Sequence, residues 1–324
     1  VRRAGRLLPA LLLLAACSAT PTRDEVFGPT EADRAGLTLA YASDYLSFVG
    51  WDDAGAVAFA IDTNRGRDGG AGQAEHFLVL YDEASGWREV AGNGAYPNPD
   101  RVLEPIPDST AFTFTGTPET GLTVASTGDA SGDGPRLTVE PVRPVIDRRI
   151  GIAAYRMGSA PATLAWNGRT VRGRVIHEHL FLPGFNRLSR RYAGLFGGFS
   201  GLYAVVDTQG DLYLHHHEGG AGFMAELAGA DAGFLVLGDT ASALTGIDVK
   251  VAESGWAAGL YRWPKRWRGS FSAGGREWTL DLTADHRHRI GNWVVGGFAM
   301  AIVTGTLERD GERYPVFGLG ELIM

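Results

Sequence analysis

Residues 162–182 read ATLAWNGRTVRGRVIHEHLFL. Asn167-Gly168 supplies the two positive φ angles that a type I′ turn requires, and the flanking runs are rich in β-branched and aromatic residues, so the stretch predicts a β-hairpin. The same signature recurs outward. FLVLYDEASGWREVAG at 77–92 and AFTFTGTPETGLTVAS at 111–126 read as hairpins, and GLYAVVDTQGDLYLHHH at 201–217 as another, with its turn placed at Gln209-Gly210. The 46 glycines fall mainly between such runs. Only FNRLSRRYAGLFGGF, 185–199, has a helical period, with Phe185, Leu188, Tyr192, Leu195 and Phe199 on one face and Arg187, Arg190 and Arg191 on the other. The chain therefore reads as all-β, two antiparallel barrels or sandwiches in tandem, joined by a short helix.

The N-terminus carries a targeting signature. VRRAGR is cationic, LLPALLLLAA is apolar but too short to span a bilayer, and Leu14-Ala15-Ala16-Cys17 has the form of a bacterial lipobox. Cleavage before Cys17 and its acylation would leave a protein tethered to the cell envelope, on the periplasmic face of the outer membrane in a Gram-negative cell. The expected organisation is a signal peptide at 1–16, a polar tether at 17–35, a first β domain at 36–182, a connecting helix at 183–200 and a second β domain at 201–324.

Charge and thiol content narrow the function classes. The formal net charge is −7, and loss of Arg2, Arg3 and Arg6 with the signal peptide leaves 27 basic against 37 acidic residues. Nucleic acid is therefore not an expected partner. Cys17 is the sole cysteine, so lipidation would exclude disulfides, thiolate metal sites and cysteine catalysis.

The C-terminal stretches YRWPKRWRGSFSAGGREWTLDLTAD and NWVVGGFAMAIVTGTLERDGERYPVFGLGELI carry Trp263-Pro-x-x-Trp267, a strand closing on Gly305, the Arg309-Asp310-Gly311 turn and Gly318-Leu319-Gly320-Glu321. Together they resemble the closing part of the bacterial carotenoid 1,2-hydratase (hydroxyneurosporene synthase) superfamily. NGRTVRGRVIHEHL, 167–180, resembles that family's strand near the domain junction, which carries His and acidic residues. The resemblance is best from about residue 150 onward. It implies tandem lipocalin-like barrels, related in architecture to tocopherol cyclase, with room for an apolar ligand near the junction.

Three His-x-His pairs occur among the eight histidines: His177/His179, His215/His217 and His286/His288. Side chains alternate along a strand, so in DLYLHHHE Asp211, Tyr213, His215 and His217 share one face, and Leu212, Leu214, His216 and Glu218 the other. Two facing pairs, His177 with His179 and His215 with His217, would complete a transition-metal site. His286 and His288 lie in an Arg-rich segment that reads as a turn. DASGDGPRLTVE, 129–140, matches the spacing of a calcium loop, but strands rather than helices flank it, so it reads as a hairpin turn.

No nucleophile elbow, phosphate loop or dinucleotide fingerprint is present. Acid catalysis is compatible with the sequence. Hydration or cyclisation of an isoprenoid alkene needs a protonated acid, aromatic faces for the resulting cation, and controlled water, but no cofactor. Candidate acids are Glu178, Asp211 and Glu321, with His177 to orient the acid or water. Candidate ligand contacts are Trp166, His179, Tyr213, His215, His217, Trp263, Trp293 and Glu321. Glu178 and His177 are adjacent in a strand and cannot both enter one barrel without a bulge. Three functions therefore stand open: an envelope carrier of an apolar small molecule, handing it to an export system; an isoprenoid hydratase or cyclase; and a histidine-ligated metalloprotein.

Overall fold

The computed structural model describes residues 39–68, 71–95, 106, 108–127, 134–184, 199–207, 210–217, 231–256, 262–290 and 298–323. The signal peptide, the tether, most of the expected connecting helix and Trp293 lie outside these residues, as does 129–133 of the calcium-like stretch.

The first ten strands are β1 Leu39–Asp52, β2 Gly55–Asp68, β3 Ala71–Asp82, β4 Gly86–Ala95, β5 Phe112–Thr117, β6 Gly121–Ser126, β7 Arg136–Val139, β8 Arg143–Ile150, β9 Ala153–Trp166 and β10 Arg169–Pro183. They form one antiparallel sheet in the order β4-β3-β2-β1-β10-β9-β7-β6-β5, with β8 also pairing β9. The second sheet contains β11 Phe199–Val206, β12 Gly210–His217, β13 Asp231–Leu237, β14 Thr240–Ala243, β15 Thr245–Trp256, β16 Arg262–Ala273, β17 Arg276–Ile290, β18 Phe298–Arg309 and β19 Glu312–Ile323. Its order is β14-β13-β12-β11-β19-β18-β17-β16-β15. In both sheets the first strand pairs with the last, which curls each into a half-barrel. The fold is the all-β tandem lipocalin-like arrangement expected from the sequence.

Local chemistry explains most turns. Asn167 and Gly168 have φ of 51° and 71°, and Trp166 pairs with Arg169 across them, as a type I′ turn demands. Asp310 and Gly311, at 54° and 82°, do the same between β18 and β19. The β11–β12 connection corrects the expectation. Val206 pairs with Gly210, so the loop is 207–209 with Asp207 at φ 47°, and Gly210 opens the next strand. Aspartate is among the few non-glycine residues that tolerate the left-handed region. Two further expectations change. Pro183, Phe199 and Ser200, placed in the helix, are strand residues, and His286 and His288 lie in β17 at a bulge between Asp285 and His288, with His286 at φ 46°. The calcium-like stretch is flanked by the β6–β7 hairpin, with Leu137 and Val139 buried.

Four apolar clusters result among the described residues, one of them small and made of Ala40, Ala42, Ala154 and Phe181. Leu46, Phe48, Phe59, Leu78, Leu164 and Val175 help fill the first half-barrel. Leu202, Leu214, Trp267, Phe271, Trp278 and Leu282 help fill the second. Another joins the two sheets and draws Tyr45, Tyr155, Met157 and Leu180 from the first, and Tyr203, Tyr213, Met300 and Leu319 from the second. Strands β1 and β10 thus have one face in their own half-barrel and the other in this seam.

Candidate functional site

The seam gathers acids and phenols from both sheets. Glu178 pairs across β9 with Met157, and Glu321 pairs across β18 with Met300, so each half-barrel contributes a glutamate opposite a methionine. Tyr45 stands opposite Glu178 on β1, and Tyr203 stands opposite Tyr213 in the β11–β12 hairpin. The hydroxyl of Tyr203 lies 2.8 Å from Glu178 Oε2 and 3.1 Å from Glu321 Oε2. A phenol has one proton. Two carboxylates competing for one phenol proton favour protonation of one carboxyl, which then donates to the phenol oxygen, so the three groups are suited to holding a transferable proton.

Rings line this centre. Tyr45 and Tyr203 are 4.9 Å apart between centroids, Tyr203 and Tyr213 5.1 Å, and Tyr213 and Phe234 5.7 Å. The hydroxyls of Tyr155 and Tyr213 are 2.7 Å apart, and Tyr155 donates to Met157 Sδ at 3.0 Å. Burial raises all four tyrosines well above the ordinary phenol value, and the nearby glutamates raise them further. They remain neutral donors at working pH. Asp62, opposite Tyr45 on β2, accepts from Ser43 Oγ at 2.8 Å and Asn64 Nδ2 at 2.7 Å.

Asp211 lies one pleat from Tyr213. Its Oδ2 accepts from Arg174 Nε of the other sheet at 2.6 Å, while its Oδ1 has no hydrogen-bond partner. Burial pushes Asp211 up to about 6, although Arg174 and Ser159 pull the other way.

Glu178, Asp211, Glu321 and Tyr213 therefore come together, while other candidates do not join them. His177 and His179 face the inside of the first half-barrel, on the opposite side of β10, and no register shift interrupts the pairing there. Both rings meet Asp44 Oδ1, at 2.7 and 3.0 Å, and the other Asp44 oxygen pairs with Arg65. A guanidinium occupies the carboxylate that a metal would need, and no metal-ligating cluster occurs among the described residues. Trp166 is buried in the first half-barrel with the Arg88 guanidinium 5.8 Å from its ring, and Trp263 lies in the second core. Neither reaches the seam. The backbones of His215 and His217 pair with Gly201 and Phe199; their side chains lie outside the described residues.

Sequence reasoning missed Tyr45, Tyr155, Tyr203 and the Asp44–Arg65 pair. Tyr203 was recoverable in principle. A turn at Gln209-Gly210 displaces the pairing by an odd number and puts Tyr203 on the wrong face, whereas the three-residue loop sets it against Tyr213.

No family model matches the sequence, and no curated protein does. Solved structures do match in shape. Kievitone hydratase from Nectria haematococca superposes with a TM-score of 0.57 at 9% identity, over 87% of this chain and 88% of that one. A protein from Nitrosomonas europaea assigned as AttH gives 0.58 at 12% identity, over 95% and 98%. This chain has the tandem lipocalin-like fold. The resemblance drawn from its C-terminal half thus extends, as a fold, along nearly the whole molecule.

Proposed function

We propose that this protein is an acid–base enzyme of the hydratase or cyclase type, acting at the seam on an apolar unsaturated small molecule of isoprenoid class. The observation that carries this reading is the Tyr203 phenol set between Glu178 and Glu321. The protonated carboxyl of the pair gives its proton to one alkene carbon, whose π electrons become the new C–H bond. The adjacent tertiary carbon becomes cationic and is stabilised by the faces of Tyr45, Tyr203 and Tyr213. Water then forms the C–O bond and returns a proton to the carboxylate; in a cyclisation, a hydroxyl of the substrate replaces water. No cofactor is required. That kievitone hydratase has the same fold supports this reading without identifying the substrate.

The test is incubation of the full chain with acyclic isoprenoid alkenes in D2O and in H2¹⁸O. One deuterium per product, together with one ¹⁸O in a hydration and none in a cyclisation, and loss of product in Glu178→Gln, is the expected result. The alternative outcome is carriage without reaction. Unchanged isoprenoid bound stoichiometrically, with no isotope incorporated, would establish carriage and sink the enzyme. We also place the protein at the cell envelope, held by lipid on Cys17. Cys17→Ser should release it from the membrane fraction and abolish metabolic labelling with palmitate.

A further inference from the structure

Across β1 and β10, Tyr45 and Glu178 are directly opposed on the seam face, and Asp44 and His179 on the inner face. His177 and His179 are the residues on either side of Glu178, and both turn inward to the same oxygen, Asp44 Oδ1. One carboxylate therefore straddles position 178 from behind. Thr63 Oγ1 donates to the Asp44 carbonyl at 3.1 Å, and Arg65 pairs with the remaining carboxylate oxygen. These groups are deeply enclosed: Asp44 is 3% exposed, Arg65 0%, His177 1% and His179 5%. Burial opposes ionisation of Asp44, but Arg65, His179 and His177 outweigh it and hold the carboxyl well below its ordinary range. Placing charges inside an apolar core is costly before pairing, and among the described residues of the second sheet the buried charged groups, Asp211 and Glu321, lie on the seam face rather than inside the half-barrel.

We propose that Asp44, backed by Arg65, is a positioning residue for the seam: it locks β10 through His177 and His179 so that the Glu178 carboxyl meets the Tyr203 hydroxyl of the other sheet. This rests on the reading of the seam as a proton-transfer site. Glu178 and Tyr203 belong to different sheets, and their 2.8 Å contact depends on how β10 sits. A reactive constellation must be held to within about 0.5 Å by packing and by supporting hydrogen bonds, and hydrogen bonds on the back of the strand are one way to supply them. Two bonds to one oxygen from positions 177 and 179 resist both sliding and twisting of β10 at 178.

The test uses the full chain with ¹³Cζ-labelled tyrosine, the Tyr203 resonance being assigned by its loss in Tyr203→Phe. In wild type the resonance should follow the titration of the glutamate pair, and Glu178→Gln should leave only the smaller step produced by Glu321, 3.1 Å from the hydroxyl. In Asp44→Asn, Arg65→Met and His177→Gln its amplitude should fall at least twofold, in the same direction in all three. A purely electrostatic link predicts instead that Asp44→Asn and Arg65→Met, which remove opposite charges, move the titration midpoint in opposite directions with full amplitude. That result, or full amplitude in any variant that retains native circular dichroism and a cooperative melt, would overturn the proposal and leave the cluster as core stabilisation. Should Asp44→Asn fail to fold, His177→Gln, which keeps an amide donor, decides. A Tyr203 signal already flat in wild type overturns the positioning role whatever turnover shows. Absence of turnover alone would sink the enzyme reading but leave this measurement interpretable.

Discussion

In the first half-barrel the inner faces of β1 and β10 carry Asp44, His177 and His179 against Arg65, whereas the inner faces of β11 and β19 in the second carry Leu202, Ala204, Val206, Val316 and Leu322. Their outer faces are alike, each offering a glutamate opposite a methionine to the seam. Among the described residues the second interior holds the polar Ser200 but no buried charge, so the strand plan does not require a charged interior. The difference behind the two glutamates coincides with a difference in exposure: Glu321 is buried, whereas Glu178 is half-buried and so is the acid more open to an incoming molecule.

The largest expected effect falls on chemistry. If the two glutamates share one proton, Glu178→Gln and Glu321→Gln should each lower turnover by roughly 10²–10⁴-fold, the range for losing a positioned acid. Loss confined to Glu178→Gln, seen by steady-state kinetics, would break the symmetry and assign the proton to the open side.

Stability separates the two interiors next. Arg65→Met leaves the buried Asp44 without its cation and should cost about 3–5 kcal/mol in urea unfolding. Trp278→Ala, in the apolar second core, should cost about the same through a cavity. The comparison sharpens in a double replacement: Asp44→Leu with Arg65→Met should recover much of the first loss, because two charges vanish together. No partner substitution of that kind restores Trp278→Ala.

A third effect concerns pH. Asp211 is pushed from its ordinary 3.8 to about 6 by burial. Below pH 4 it is largely protonated in both folded and unfolded chains. Between about pH 4 and 6 the unfolded chain ionises it while the folded chain retains the proton, so stability falls as pH rises, by on the order of 3 kcal/mol. Asp211→Asn should remove that fall. Parallel stability–pH curves for the two proteins would show that Arg174 fully compensates the buried charge.

These contrasts explain what was legible beforehand. Asn167-Gly168 and Asp310-Gly311 announced their hairpins because a two-residue turn with two positive φ angles admits few sequences. Alternation correctly separated Asp211 and Tyr213 from Leu212 and Leu214, and Glu178 from His177. It could not say which face met the seam. In β9, Ala153 to Ala160 are buried without interruption, because one face packs inside the half-barrel and the other against the second sheet. Both sides of such a strand are buried, so Trp166 and Trp263, large rings that fill cores, looked as suitable for the site as Tyr45 and Tyr155. The phenols that do line it are set apart by their neighbours across the seam, which no spacing within one strand encodes.

The smallest effect tests how the sheets are held. At the far side of the seam Trp87 Nε1 donates to the His286 carbonyl at 2.6 Å, the Trp87 ring stacks on His288 at 5.3 Å and 16°, and His288 Nε2 pairs with Glu89. The bulge at Asp285–His288 turns this part of β17 toward β4. The contact is solvated, with His288 25% and Glu89 39% exposed, so Glu89→Gln should cost no more than about 1 kcal/mol. Tyr203→Phe, which strips two carboxylates of a buried partner, should cost more. If limited proteolysis showed the reverse, with Glu89→Gln opening the sheets and Tyr203→Phe leaving them closed, the clasp would be what holds the half-barrels together. The phenol between the glutamates would then be free of any structural duty, and its placement would have to be explained by chemistry alone.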